Sequence, residues 1–203
     1  MIIENKKTAI SKKPAFWIVI IALVTILITS AIIITNSLTS MNLPKVKVSA
    51  ELDKSVSKAI MSYNKPGIYF KGIKTLAEGH IILGHIRSSE NEIVYAVAAC
   101  VGYGFKKGNF IVKSGSGPMP IKITLKISKN NKYSLKEYQE PLDGSENYES
   151  LKKMFPQNLV DIANQPSQSY LDSIEEQVTS YATAYLKSVG SNSKIEELFG
   201  ERI

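Results

Sequence analysis

The chain has 203 residues, a formal net charge of +7 and 44% hydrophobic residues, a composition within the range of ordinary folded proteins rather than disordered ones. A single cysteine, Cys100, excludes an intrachain disulfide, so a domain outside the cytoplasm must rest on its core alone. The apolar residues are unevenly spread, and a dense block of them lies near the N-terminus.

That block is residues 16–35, FWIVIIALVTILITSAIIIT, opening at Phe16 and closing at Thr35. Twenty helical residues span about 30 Å, the thickness of a bilayer's hydrocarbon core. Only a helix satisfies the backbone polar groups of such a segment in lipid. Trp17 stands where an interfacial aromatic belongs, and Lys6, Lys7, Lys12 and Lys13 precede it with only Glu4 opposing. The positive-inside rule then predicts a cytoplasmic tail at 1–15, a single transmembrane helix at 16–35 and the remainder outside the cell membrane. A cleaved signal peptide is the competing reading. The apolar run exceeds the usual 7–15 residues of such peptides, and Thr35-Asn36-Ser37 is a poor cleavage site. No cysteine lies directly after the run, which excludes a lipoprotein.

Residues 36–45 read as a polar linker, and residues 46–203 as one extracytoplasmic α+β domain. Val48, Leu52, Val56, Ile60 and Tyr63 recur at helical spacing until Asn64-Lys65-Pro66-Gly67 stops them. A four- or five-stranded antiparallel meander follows. A strand is predicted at 80–87, a central strand at 93–105, and a short strand at 110–113 after the Lys106–Asn109 turn. Ser114 to Pro118 reads as a Gly/Ser loop. The strict alternation of 120–128 marks a half-buried strand, paired with 133–138. Two C-terminal helices are predicted. One is capped near Asp143 or Ser145 and is broken by Pro156. The other carries the stripe Leu171, Ile174, Val178, Tyr181, Tyr185 and Val189, and ends at Gly190.

Residues 45–136 carry a net charge of +11 and residues 137–203 a net of −7. A basic sheet face would suit anionic lipid headgroups or wall polymers. The plainer expectation is that the two halves offset each other. Nucleic acid is not expected as a partner outside the cell.

Three strings imitate the boxes of penicillin-recognising enzymes. They are Ser55-Val56-Ser57-Lys58 for S-x-x-K, Ser62-Tyr63-Asn64 for S-x-N, and Lys113-Ser114-Gly115 for K-T-G. Ser55 with Lys58 is therefore the candidate nucleophile pair of an envelope serine hydrolase. The spacing argues against it, because Ser55 and Ser62 fall on one short helix and S-x-x-K recurs elsewhere in a Ser- and Lys-rich chain. His80 and His85, five apart on one strand, should point to opposite faces and cannot share a metal. Both are expected at surface or edge positions. Cys100 reads as a small core residue. No catalytic residue, cofactor or metal ligand is assigned.

One ordered series carries a resemblance: Gly108-Asn109-Phe110, then Lys113 to Pro120, then Tyr138-Gln139-Glu140-Pro141-Leu142-Asp143-Gly144-Ser145, then Met154-Phe155-Pro156, closing on Glu175-Glu176-Gln177 and Ala184-Tyr185-Leu186. It resembles an extracytoplasmic module of Firmicutes. That module occurs in small membrane-anchored proteins and behind the metallopeptidase part of some BlaR/MecR-like membrane regulators. The resemblance covers about residues 68–190 and implies an accessory or sensory domain of the cell envelope. It does not imply peptidase activity, since the H-E-x-x-H helix is absent. The expected function is non-enzymatic binding or sensing beside a membrane-protein partner.

Overall fold

A computed structural model of the chain describes residues 46–65, 72–196 and 198. The predicted tail, apolar run and linker (1–15, 16–35 and 36–45) lie outside the described residues. Among the described residues, no helix is long and apolar enough to cross a membrane.

The first element is α1 (Ala50–Tyr63). Ser49 starts it: its hydroxyl accepts from the Leu52 N–H at 3.2 Å, and Glu51 and Asp53 place negative charge in the first turn. Leu52, Val56, Ala59 and Ile60 are the buried face.

Four strands follow in a simple antiparallel meander: β1 (Thr75–Arg87), β2 (Asn91–Lys106), β3 (Asn109–Ile127) and β4 (Tyr133–Gln139). The sheet thus has four strands. β1 starts at Thr75, five residues before the predicted strand. The β2–β3 connection is a two-residue turn in which Lys107 (φ 48°) and Gly108 (φ 83°) are both left-handed. That pattern belongs to a type I′ turn, whose twist matches the strands it joins. β2 is buried on both faces from Val94 to Gly104, which explains its near-continuous apolar sequence.

The predicted loop from Ser114 to Pro118 is instead strand. β3 runs unbroken through it, with irregular pairing opposite Ala98–Cys100 and Gly102–Tyr103. Its Gly- and Pro-rich sequence has little strand propensity of its own, and pairing with the apolar β2 overrides that.

The C-terminal region holds a 3-10 turn (Gly144–Glu146) and three helices: α2 (Asn147–Met154), α3 (Gln157–Asn164) and α4 (Gln168–Ser188). Two helices were expected; α3, between Pro156 and Pro166, is the additional one. Neither Asp143 nor Ser145 caps by side chain. Ser150 instead satisfies the Leu142 N–H at 2.8 Å. The buried stripe of α4 is Ile174, Val178, Ala182 and Leu186; Tyr181 and Val189, expected within it, are exposed.

The result is three layers. α1 packs on one face of the sheet against Val94, Ala96, Ala98, Cys100, Ile121 and Ile123. The C-terminal helices cover the other face over Tyr95, Val97, Ala99, Val101 and Tyr103. Gly79 permits the closest approach of α4 to β1: a Cβ there would collide with the Ile174 carbonyl.

Candidate functional site

Among the described residues, a groove of about 200 Å³ lies between α1 and β4. Ser55, Lys58 and Ser62 form one wall. They recur at three- to four-residue spacing, so one helical face presents all of them. Tyr133, Ser134 and Leu135 of β4 form the other wall, over a floor of Leu125 and Ala59. At the far end of α1, Tyr63 stacks on Tyr138 with ring centroids 3.9 Å apart and fixes the helix to β4. The groove combines an apolar floor with hydroxyls and one ammonium at its rim, the make-up of a small binding site.

Ser55 and Lys58 therefore share a groove with Ser62 of the second imitated box, but Asn64 of that box and the Lys113-Ser114-Gly115 string do not join them. Asn64, Ser114 and Gly115 line a separate depression of about 40 Å³ with Cys100 and Gly102. The Ser55 hydroxyl donates to the Glu51 carbonyl of its own helix at 2.7 Å. That bond is the ordinary way a helical serine satisfies itself, and among the described residues no general base meets the hydroxyl.

Cys100 is buried, and burial together with the nearby Glu78 carboxylate pushes its thiol up to about 12. A thiol in that state is a packing group rather than a nucleophile.

The histidines depart from expectation. The β1–β2 register slips between Ile82 and Gly84, so Leu83 is an extra residue that reverses the alternation. His80 and His85 consequently face the same side, toward α1. His80 is 5% exposed rather than at the surface. Its Nδ1 lies 3.0 Å from Glu78 Oε2, and its Nε2 3.4 Å from Asp53 Oδ1 on α1. His85 Nδ1 lies 2.6 Å from Glu92 Oε1, and its Nε2 3.2 Å from the Lys47 carbonyl. Glu92, 1% exposed, also accepts from Arg87 Nη1 and from the Tyr133 hydroxyl, both at 3.3 Å. This network joins β1, β2 and β4 and reaches the groove through Tyr133.

Sequence reasoning missed Glu78 and Glu92. The signal was present: each is a carboxylate inside an otherwise apolar strand, and Glu78-x-His80 is the spacing that puts two side chains on one face. Among the described residues, no group of three His, Cys, Asp or Glu side chains is arranged to hold a metal ion. Comparison with family models, with curated protein sequences and with solved structures finds no match to this chain.

Proposed function

We propose that the chain is a membrane-anchored, extracytoplasmic binding or sensory domain without enzymatic activity. Residues 16–35 cross the bilayer, residues 1–15 lie in the cytoplasm, and residues 46–203 act outside, beside a partner in the same membrane. The α1–β4 groove is its recognition surface. The observation that carries this reading is the contrast at the groove. It offers an apolar floor with Ser55, Lys58, Ser62 and Ser134 around it, while the groups a covalent mechanism needs are committed elsewhere. The Ser55 hydroxyl serves the Glu51 carbonyl, Cys100 is buried, and both histidines sit against carboxylates. Lys58 at the rim suits an acidic or hydroxyl-rich ligand, which an anionic wall polymer or a lipid headgroup provides.

The test is photocrosslinking in intact membranes from the full chain, with a photoreactive residue at Leu135 in the groove or at Thr183 on the outer side of α4. A discrete adduct from position 135 and none from 183 is expected. The same adducts from both positions, or none from either, would count against the groove as the site.

A second reading keeps Ser55 as the nucleophile of an envelope hydrolase, because Ser55 and Lys58 line the same groove. Fluorophosphonate or fluorescent β-lactam labelling that is lost in Ser55→Ala would favour it. Absence of label would remove it.

A further inference from the structure

We propose that His80 acts as a proton-dependent clamp, which with His85 beside it holds α1 and the lead-in before it against β1 and loosens this end of the domain as pH rises.

Both histidines face more acceptors than a neutral ring can serve. His85 faces one at each ring nitrogen: Glu92 Oε1 at 2.6 Å from Nδ1 and the Lys47 carbonyl at 3.2 Å from Nε2. A carbonyl only accepts, and so does a carboxylate. Neutral imidazole has a single N–H and serves one of the two; its bare nitrogen would then face the lone pairs of the other. Imidazolium serves both. His80 repeats the arrangement, with Glu78 Oε2 at 3.0 Å from Nδ1 and Asp53 Oδ1 at 3.4 Å from Nε2. Its Nε2 is buried and makes no hydrogen bond, so Asp53 answers it as a charge. Two histidines placed independently between two acceptors each is the observation on which the proposal stands.

Each clamp joins parts of the chain that are distant in sequence. His85 ties β1 to Lys47, two residues before the cap of α1, and His80 ties β1 to Asp53 in the first turn of that helix. The fixed ends of both clamps, Glu78 and Glu92, are each 1% exposed. Among the described residues, no further carboxylate acts on His80: its own strand supplies Glu78, α1 supplies Asp53, and Ala98 lies opposite on β2. Gln177 of α4 meets only its backbone. Around His85 stand Glu92 from β2, with Arg87 and Tyr133 sharing that carboxylate.

Burial pulls the His80 pKa down. The hydrogen bond and charge of Glu78, with Asp53 behind them, outweigh it, so the ring holds its proton above the usual histidine range. Its contribution to stability is then complete below about pH 6.5 and is lost as pH rises through the raised folded value. Deprotonation of His80 leaves Asp53 without its partner, so the first turn of α1 loses that attachment to β1.

The experiment uses the full chain in detergent micelles with 15N-labelled histidine. The two histidines give a spectrum that reports which ring nitrogens carry protons. Hydrogen exchange at α1, corrected for the intrinsic rate, is followed on the same samples from pH 6 to pH 9. The His80 ring is expected to be doubly protonated at pH 6. Protection in the first turns of α1 should fall about tenfold or more as the His80 ring loses its second proton, while β2 stays protected. In His80→Gln/His85→Gln that pH dependence should vanish. A singly protonated His80 ring at pH 6, or α1 protection in the wild type that ignores pH, would overturn the proposal. So would the same pH dependence in the double variant. Should that variant fail to fold, the wild-type protonation and exchange measurements decide alone.

Discussion

Gly79 shows how one missing side chain can set the position of a helix. It lies on β1 where α4 crosses, and any Cβ would collide with the Ile174 carbonyl, with Gln177 close by. The obstruction is backbone, which cannot rotate aside as a side-chain tip would. Gly79→Ala must therefore push α4 outward and loosen the contact of Ile174 and Val178 with the sheet. A loss of about 2–4 kcal/mol in urea unfolding is expected, against a few tenths for Gly108→Asn, whose turn has open space and tolerates a left-handed asparagine. Equal stabilities for the two variants would refute this account of the glycine. The residues of the histidine clamps were partly legible. Glu78-x-His80 shares a face by simple alternation. His80 and His85 share one only because Leu83 is an extra residue, a slip of register that no local pattern announces.

Among whole elements, legibility followed the strength of the local pattern. α1 has clean apolar spacing, a serine cap and an Asn-Lys-Pro-Gly stop, and it folds as α1 from Ala50 to Tyr63. The second half of β3 alternates strictly and pairs with β4 as expected. Its first half was hidden, because Gly115, Gly117, Pro118 and Pro120 are poor strand formers that β2 nonetheless recruits. α3 was hidden for another reason: a helix of eight residues between two prolines has too few turns for periodicity to register. For α4 the element was legible and its rotation was not. Tyrosines count as apolar in a pattern, yet Tyr181 turns outward and its hydroxyl lies 2.9 Å from Ser57 Oγ of α1, while the smaller Ala182 is fully buried. The site shared this fate, since Ser55 and Lys58 were singled out by a chance string, and β4, which completes their groove, carried no chemical signal. The rotation of α4 is checked by a pair of truncations. Leu186→Ala, at a site 5% exposed, should cost about 2–4 kcal/mol, and Val189→Ala, at 50%, less than about 0.5 kcal/mol. Similar losses at both would restore the stripe expected from the sequence.

For the molecule as a whole, a four-stranded sheet between helical layers has covered faces but exposed edges, and this chain guards each edge differently. On β1 the Gln177 side chain accepts from the His80 N–H at 3.2 Å and donates to the His80 carbonyl at 3.0 Å, acting as a fragment of a fifth strand. β4 is short and its pairing is interrupted opposite Thr124–Leu125, which twists the edge away from regular pairing. The early part of β3, which β4 does not reach, is guarded by the C-terminal segment. Phe110 N–H donates to the Lys194 carbonyl at 2.8 Å, and Glu196 N–H donates to the Phe110 carbonyl at 2.9 Å. The Glu196 carboxylate then accepts from the Val112 N–H at 2.8 Å, and its carbonyl accepts from the Tyr103 hydroxyl at 2.9 Å. Beyond that, Pro118 and Pro120 lack the N–H that an incoming strand would need. Glu196 is thus both a latch and an edge cover, although it lies far from the groove. Glu196→Ala removes the acceptor of one N–H while leaving the backbone bridge, and should cost about 2 kcal/mol. Ending the chain after Ser193 removes the bridge as well. That variant should lose about 3–4 kcal/mol and, with Phe110 uncovered beside free strand edge, should self-associate in a concentration-dependent way. Denaturant unfolding and analytical ultracentrifugation of the full chain and the two variants check this. A shortened chain that stays monomeric and as stable as the full chain would show that the C-terminal segment does not guard the edge, and that the prolines of β3 suffice.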